Sequence, residues 1–239
     1  MLPPALPADQ SNNDAAGFWP RAVAWSVDAS LLLLPVVVMV LLQDGERIDA
    51  LAAQWHGLGT LMGELMMSSA DHGDSPLTML QSWLSANGAL RIGITAFAAN
   101  FYSTLWPSLA LFVILGLFYW PLQEAGRRHA TLGKRAVGLL AGPAEGGQLD
   151  LVQALTRHLA GSLSWLTLNI GHMLAANRPR HQSLHDRIAK TQVLWRQDAR
   201  RQVPAWGWLL LVVAVLLPLI VAAKAAFSLA SGMQAALGI

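Results

Sequence analysis

RAVAWSVDASLLLLPVVVMVLL, residues 21–42, is a long and almost entirely apolar segment. As a helix, the part after Arg21 rises about 32 Å, which matches the roughly 30 Å hydrocarbon core of a bilayer. The stretch nevertheless carries Arg21 at its edge and Asp28 two turns further in. A carboxylate at the centre of a membrane helix costs about 2.5–3.5 kcal/mol, so we expect a partner group from elsewhere in the chain.

The composition also indicates an integral membrane protein. Of its 239 residues, 54% are hydrophobic and only 13% are charged, whereas a soluble domain has about 25% charged residues. The absence of cysteine excludes disulfides and thiolate metal sites. Residues 1–17 are rich in Pro, Asn, Asp and Ala, which predicts a disordered tail. Residues 1–20 have neither the basic nor the apolar region of a signal peptide, so we expect no cleavage.

Two further stretches have spanning length. Residues 97–120 end on the aromatic pair Tyr119 and Trp120, and residues 206–226 begin at Trp206. Aromatic residues collect at both membrane interfaces, which supports both assignments. We therefore predict an all-α integral membrane protein with three transmembrane helices.

Residues 151–176 are long enough to span but contain polar residues and a potential breaker at Gly171. The polar residues are Arg157, His158, Asn169 and His172. The segment is either a fourth span or a re-entrant hairpin, because broken and polar backbone is tolerated at membrane depth where protein or water covers it. We favour the hairpin because it also satisfies the charge pattern of the loops.

The connection at residues 43–100 carries six acidic and two basic residues. Its apolar residues recur at helical spacing between Ile48 and Met66, which predicts an amphipathic helix, and a turn at 71–76 precedes a second short helix. Gly59 and Gly63 form G-x-x-x-G, which we interpret as a chance match in a loop.

Charge in the loops predicts the topology. Lys and Arg collect in cytoplasmic loops, so the acidic 43–100 loop is expected outside and the N-terminus inside. Residues 177–205 carry seven basic and two acidic residues. These residues are therefore also expected in the cytoplasm, which requires the 151–176 segment to enter the membrane and return to the cytoplasmic side. Such a basic loop attracts anionic lipid head groups.

Three groups of residues are candidates for a site. Arg21 and Asp28 face the same way but stand about 10 Å apart, so a third group is needed to join them. Ser183 and Asp186 have the spacing of a capping box, with His185 between them as a structural hydrogen-bonding residue. Thr131 is placed to cap a short helix that contains Gly133 and Lys134. The pair Gly133-Lys134 is not a phosphate loop, because the first glycine is missing and Arg135 replaces the required Ser or Thr.

These groups, taken in order, resemble the RDD family of bacterial inner-membrane proteins. R-x-x-A-x-x-x-D is present as Arg21, Ala24 and Asp28, and the block A-T-x-G-K-x-x-x-G-L is present at residues 130–139. The closing block L-H-D-x-x-A-x-T-x-V is present as Leu184, His185, Asp186, Ala189, Thr191 and Val193. The three blocks cover roughly residues 17–196, followed by a linker and an added C-terminal span in 197–239.

The resemblance implies that Arg21, Asp28 and Asp186 are the signature residues of the chain. His185, Lys134, Thr131 and Gly133 lie in the same blocks as supporting residues. The resemblance implies little about activity, although some members are proposed to exchange monovalent cations for protons.

Two functions remain open at this point. The first is a non-enzymatic scaffold or partner subunit, in which Asp186 reaches Arg21 and Asp28 bonds the membrane-embedded 151–176 segment. The second is a monovalent cation/proton antiporter that uses Asp28 and oligomerises. No hydrolase, zinc-protease or paired-carboxylate motif is present, so we predict no catalytic residue. We also expect no metal ion, cofactor or nucleic acid, and expect lipid, a second copy or another membrane protein as partners.

Overall fold

Three long helices dominate the computed structural model, which describes residues 15–42 and 45–239. These are α1 (Phe18–Leu42), α4 (Ala89–Ala125) and α9 (Ala205–Leu237). All three are long and apolar enough to cross a membrane, which confirms the three predicted spans. Each helix extends beyond the predicted span, because length and hydropathy locate the apolar centre of a helix and not its ends.

Six further α-helices, a 3-10 helix at Leu174–Ala176 and one small sheet complete the described chain. The helices are α2 (Gly45–Asp71), α3 (Pro76–Leu84), α5 (Leu132–Val137), α6 (Leu151–Leu166), α7 (Ile170–Met173) and α8 (Leu184–Ile188). The predicted helix in the 43–100 connection is present as α2, and the predicted short helix after the turn is present as α3. Contacts divide the described chain into two units, residues 15–34 with 112–214 and residues 35–111 with 215–239.

In the first unit, a two-stranded antiparallel sheet pairs β1 (Leu139–Pro143) with β2 (Thr191–Trp195). No sequence pattern predicted this sheet. Gly138 adopts a left-handed conformation with φ of 86°, which ends α5 and lets the chain leave directly into β1. Both strands are largely buried, and with neighbouring side chains they form the core of this unit. The core residues are Ala16, Val23, Ala24, Val137, Leu139, Ala141, Leu149, Ala154, Val193 and Trp195.

Most of the predicted disordered tail, residues 1–17, lies outside the described residues. Its last part is ordered. Ala15 forms a β-bridge with Leu194, and the Ala16 amide donates to the Val193 carbonyl at 2.9 Å. The chain therefore enters α1 from the edge of the sheet, and the prediction of disorder is wrong for residues 15–17.

The 151–176 segment is broken into two helices. α6 has 16 residues and rises about 24 Å, less than the bilayer core requires. Leu168 and Asn169 then adopt positive φ values of 51° and 66°, which interrupt the helix before α7 begins at Ile170. Neither helix of this segment is long enough to span alone, and the fourth span and the re-entrant hairpin both stay predictions.

α6 has two different faces. Its buried face carries Ala154, Arg157, Ala160 and Ser164. Its exposed large side chains are apolar, and they include Val152, Leu159, Leu163 and Leu166. Asp150 caps its first turn by accepting from the Gln153 amide at 2.7 Å. The helix thus directs one cation, Arg157, into the unit and leaves an apolar surface outside.

The second unit is built on close packing between α2 and the end of α9. A side chain at Gly59 would collide with the Leu229 backbone, and one at Gly63 would lie 2.7 Å from the Met233 carbonyl oxygen. Gly57, on the same helix, has open space. The Trp55 indole also donates to the Ala225 carbonyl at 2.7 Å. Small residues let membrane-type helices approach closely, so the interpretation of Gly59 and Gly63 as a chance match is wrong.

Candidate functional site

Asp186 lies at the centre of the first unit and is fully buried. The Ser183–Asp186 spacing forms the predicted capping box of α8, in which the carboxylate accepts from the Ser183 amide at 3.0 Å. The Ser183 hydroxyl donates to the same oxygen at 2.7 Å. Arg21 and Arg157 form ion pairs with the carboxylate from two other helices. Local helix capping therefore orients Asp186, and tertiary contacts neutralise it.

Arg21 connects the start of α1 to two distant segments. Besides its ion pair with Asp186, its Nε donates to the Ala16 carbonyl at 2.8 Å. Its second terminal nitrogen donates to the His181 carbonyl at 2.6 Å. The planar guanidinium thus donates in three directions, a geometry that lysine does not supply. The structure brings together Arg21 and Asp186, which are 165 residues apart.

Glu124 and Arg157 complete the charged site. The sequence marked Arg157 only as a polar residue within the 151–176 segment, and it did not mark Glu124. Glu124, in the last turn of α4, is buried and forms ion pairs with Lys134 and Arg157. Arg157 bridges Glu124 and Asp186, with Nε 3.1 Å from Glu124, and it also donates to the Thr191 hydroxyl at 3.0 Å. The position of Arg157 among small residues on the buried face of α6 was the one sequence signal. Glu124 carries no comparable signal.

Asp28 is 1% exposed, and its partners come from α4 and α5. The Tyr119 hydroxyl donates to it at 2.7 Å, the Thr131 hydroxyl at 2.6 Å and the Gly133 amide at 2.7 Å. The expectation that Asp28 bonds the 151–176 segment is therefore wrong. A helix N-terminus supplies free amides to an anion, and α5 presents such an end directly to α1.

Gly133 permits the approach of α5 to α1. A Cβ atom at this position would lie 2.9 Å from the Asp28 carboxyl carbon and 2.9 Å from the Ala24 carbonyl carbon. Thr131 caps α5, as predicted, through a 3.2 Å bond from the Lys134 amide to its hydroxyl. The same hydroxyl donates to Asp28, so one side chain both starts the helix and binds the carboxylate.

Arg21, Asp28, Glu124, Lys134, Arg157 and Asp186 together are called the charge cluster below. It contains three acidic and three basic groups, and the five besides Arg21 have residue exposures of 8% or less, while the Arg21 side chain is 12% exposed. In the parts of the chain that the structure describes, no group of three His, Asp or Glu side chains is placed to hold a metal ion. The cluster is thus formally neutral, with each carboxylate held by several donors.

His185 lies against the cluster and contacts His172, with ring centroids 5.1 Å apart. Its Nε2 lies 3.0 Å from the Ser183 hydroxyl. Burial, with the adjacent Arg157 guanidinium, lowers the pKa of His185 well below its ordinary 6.5. For Asp186, burial alone raises the pKa, but the Arg157 and Arg21 charges outweigh it and hold the pKa well below 3.8.

These directions predict how stability depends on pH. Between pH 7 and 5 the unfolded chain protonates His185 while the folded chain does not, so stability falls with acid by at most about 1.4 kcal/mol per pH unit. Asp186 is ionised in both states over this window and adds no slope. We expect His185→Gln to give a shallower dependence, measured as the thermal midpoint in detergent at pH 7, 6 and 5. An unchanged slope would show that His185 takes up its proton equally in the folded and the unfolded chain.

The region that contains this site matches a known protein family. The model of a family described as "RDD family" matches residues 15–190, a range that includes the whole charge cluster. The chain is 29% identical over 90 residues to "Uncharacterized protein YxaI" of Bacillus subtilis (strain 168). That match covers 38% of this chain and 59% of the relative. No solved structure matches the chain.

Proposed function

The chain belongs to the RDD family, and on that premise we propose that it is a non-enzymatic, multi-pass membrane protein that acts as a scaffold or partner subunit. The observation that carries this proposal is the neutrality of the charge cluster. Two buried carboxylates, Glu124 and Asp186, form ion pairs with the three cations of the cluster. The third carboxylate, Asp28, accepts hydrogen bonds from three neutral donors. Such a cluster acts as a lock, because it fixes the positions of the elements that contribute to it.

The lock joins segments that are far apart in sequence. Asp186 ties α8 to α1 and α6, Glu124 ties α4 to α5 and α6, and Asp28 ties α1 to α5. Buried ionic networks specify one arrangement of elements more than they add stability. A protein with this interior presents a fixed surface to partners, which suits a scaffold. We propose the bacterial inner membrane as its location, with the N-terminus in the cytoplasm, from the charge of the loops.

A cation/proton antiporter that uses Asp28 is the second candidate. It is favoured by one observation: Asp28 is buried in a spanning helix and, among the residues that the structure describes, accepts only from neutral donors. A carboxylate without an adjacent counter-ion at membrane depth is a candidate for proton exchange. Against this, its three donors leave little room for a cation to replace them.

Asp28→Asn in reconstituted protein separates the two functions. Under the lock, wild-type vesicles show no proton flux above empty vesicles when a sodium or potassium gradient is applied. The variant then unfolds with a free energy about 1–2 kcal/mol lower, because an amide cannot accept all three donated bonds. Flux is read with an internal pH dye, and unfolding is measured in detergent.

Asp49→Asn is the matched control, because Asp49 is an exposed acidic residue on α2. It is expected to change neither flux nor stability. Wild-type flux that disappears in a folded Asp28→Asn variant, and persists in the control, would replace the lock by the antiporter.

A further inference from the structure

A basic pocket of about 680 Å³ opens in the first unit, and no residue of the charge cluster lines it. One wall is the end of α5 with the turn at Gly138, and the other is the linker that leads into α9, with Trp208 at its edge. Arg135, Arg196 and Arg200 line it. The pocket therefore combines three guanidinium groups with the first turn of a spanning helix.

Two of these arginines are available to an outside anion. Arg196 is already paired with Asp198, to which its Nε donates at 2.9 Å. Within residues 15–42 and 45–239, neither Arg135 nor Arg200 has a carboxylate partner. Arginine presents a planar fork that matches phosphate oxygens, so the pair is suited to a phosphate group.

Aromatic side chains place the pocket at the depth of the lipid head groups. Trp206 and Trp208, in the first turn of α9, are 45% and 44% exposed. The ring centroid of Trp208 lies 5.3 Å from that of Trp19, in the first turn of α1. Tryptophan at the ends of spanning helices marks the membrane interface. Because Trp208 also lines the pocket, the pocket opens at this interface.

We propose that this pocket binds the phosphate of an anionic phospholipid, with Arg135 and Arg200 as its ligands. A free phosphate offers the same chemistry to the arginines. The lipid is favoured because exposed apolar residues of α9, beginning with Leu209, follow directly on Trp208 and match an acyl chain. The inference concerns a lipid ligand of the protein and holds for a scaffold and an antiporter alike.

The test uses the full-length protein in detergent, titrated with phosphatidylglycerol, phosphatidylcholine or inorganic phosphate, and bound lipid is counted by native mass spectrometry. Arg135→Gln/Arg200→Gln is expected to bind phosphatidylglycerol about 30-fold more weakly than wild type. The control Arg178→Gln/Arg180→Gln removes the same charge from exposed positions of the 177–205 loop that do not line the pocket, and it is expected to bind as wild type does. Arg200→Gln alone changes one exposed side chain and is expected to weaken binding about fivefold.

Three outcomes would overturn the proposal. An equal loss of phosphatidylglycerol binding in the control variant would show that the lipid is attracted by the overall charge of the protein and not by the pocket. Displacement of the lipid by inorganic phosphate at equal concentration would make the site one for a soluble anion. Undiminished binding in Arg200→Gln and in the double variant would remove the arginines as ligands.

Discussion

Asp186→Asn is expected to lower the free energy of unfolding by about 3–5 kcal/mol, because it removes one partner from a buried ion pair and leaves the other uncompensated. Arg21 and Arg157 both pair with this carboxylate. Without it, Arg21 keeps only carbonyl partners and Arg157 keeps only Glu124 and Thr191 among the contacts described above. Chemical unfolding in detergent, followed by tryptophan fluorescence, measures the change.

Asp198→Asn is the control for this prediction. Asp198 also pairs with an arginine, Arg196, but both side chains are largely exposed to solvent. Exposed ion pairs contribute little to stability, so the control is expected to unfold as wild type does. If Asp186→Asn is as stable as Asp198→Asn, the charge cluster is not a lock.

A double variant separates the ion pair from other effects of the substitution. Arg157→Gln/Asp186→Asn removes both charges of one pair, so its loss is expected to be smaller than the sum of the two single losses. Arg21 stays unpaired in the double variant, so recovery is expected to be partial. Additive losses would show that the two residues do not act through each other.

Length and hydropathy predicted the three spans, because the bilayer sets the length of a spanning helix independently of tertiary contacts. The capping signals of α5 and α8 were equally local. The Thr131 hydroxyl accepts from the amide three residues further on, and the Ser183 amide donates to the side chain three residues further on. The resemblance to a known family named Arg21, Asp28 and Asp186, and the structure brings Arg21 and Asp186 into contact. Which of these residues matter for function stays a prediction.

The partners of the signature residues were not predictable in the same way. Arg157 and Asp186 are 29 residues apart, and Asp28 and Gly133 are 105 residues apart. No local spacing reports such a contact. Tyr119 was explained by the aromatic belt at the membrane interface, so nothing marked it as a donor to Asp28. The Gly133 amide, another donor to Asp28, is a backbone group that sequence patterns do not distinguish. The sheet was not predicted for the same reason, since a strand of five residues is recognised only by its pairing with a strand that is distant in sequence.

Burial of this cluster explains why the acidic residue in the first span is tolerated. Three hydrogen-bond donors, from α4 and from the N-cap and first turn of α5, stabilise the Asp28 carboxylate without an adjacent cation. The nearby charges Arg21 and Asp186 neutralise each other at the entrance to the same helix. Hydrogen bonds within the protein thus offset the free-energy cost of a carboxylate in an apolar helix. Because α5 supplies part of these bonds, its position against α1 determines whether they form.

Gly133→Val tests that position directly and is expected to destabilise the protein by about 3 kcal/mol, the upper end for overpacking. The added Cβ atom would meet the Asp28 carboxyl carbon and the Ala24 carbonyl carbon, each at 2.9 Å. The Ala24 atom belongs to helix backbone and cannot turn aside, so α5 must move and stretch its bonds to Asp28. The loss is measured by chemical unfolding in detergent.

Gly161→Val is the matched control, because a Cβ atom at Gly161 in α6 meets nothing within 4 Å. Valine has a slightly better helix propensity than glycine, so this variant is expected to be as stable as wild type or more stable by a few tenths of a kcal/mol. Opposite signs for the two substitutions would place the strain at the contact between α5 and α1. Equal losses would mean that valine disturbs any short helix here, and that the approach of α5 to Asp28 is not the constraint that we describe.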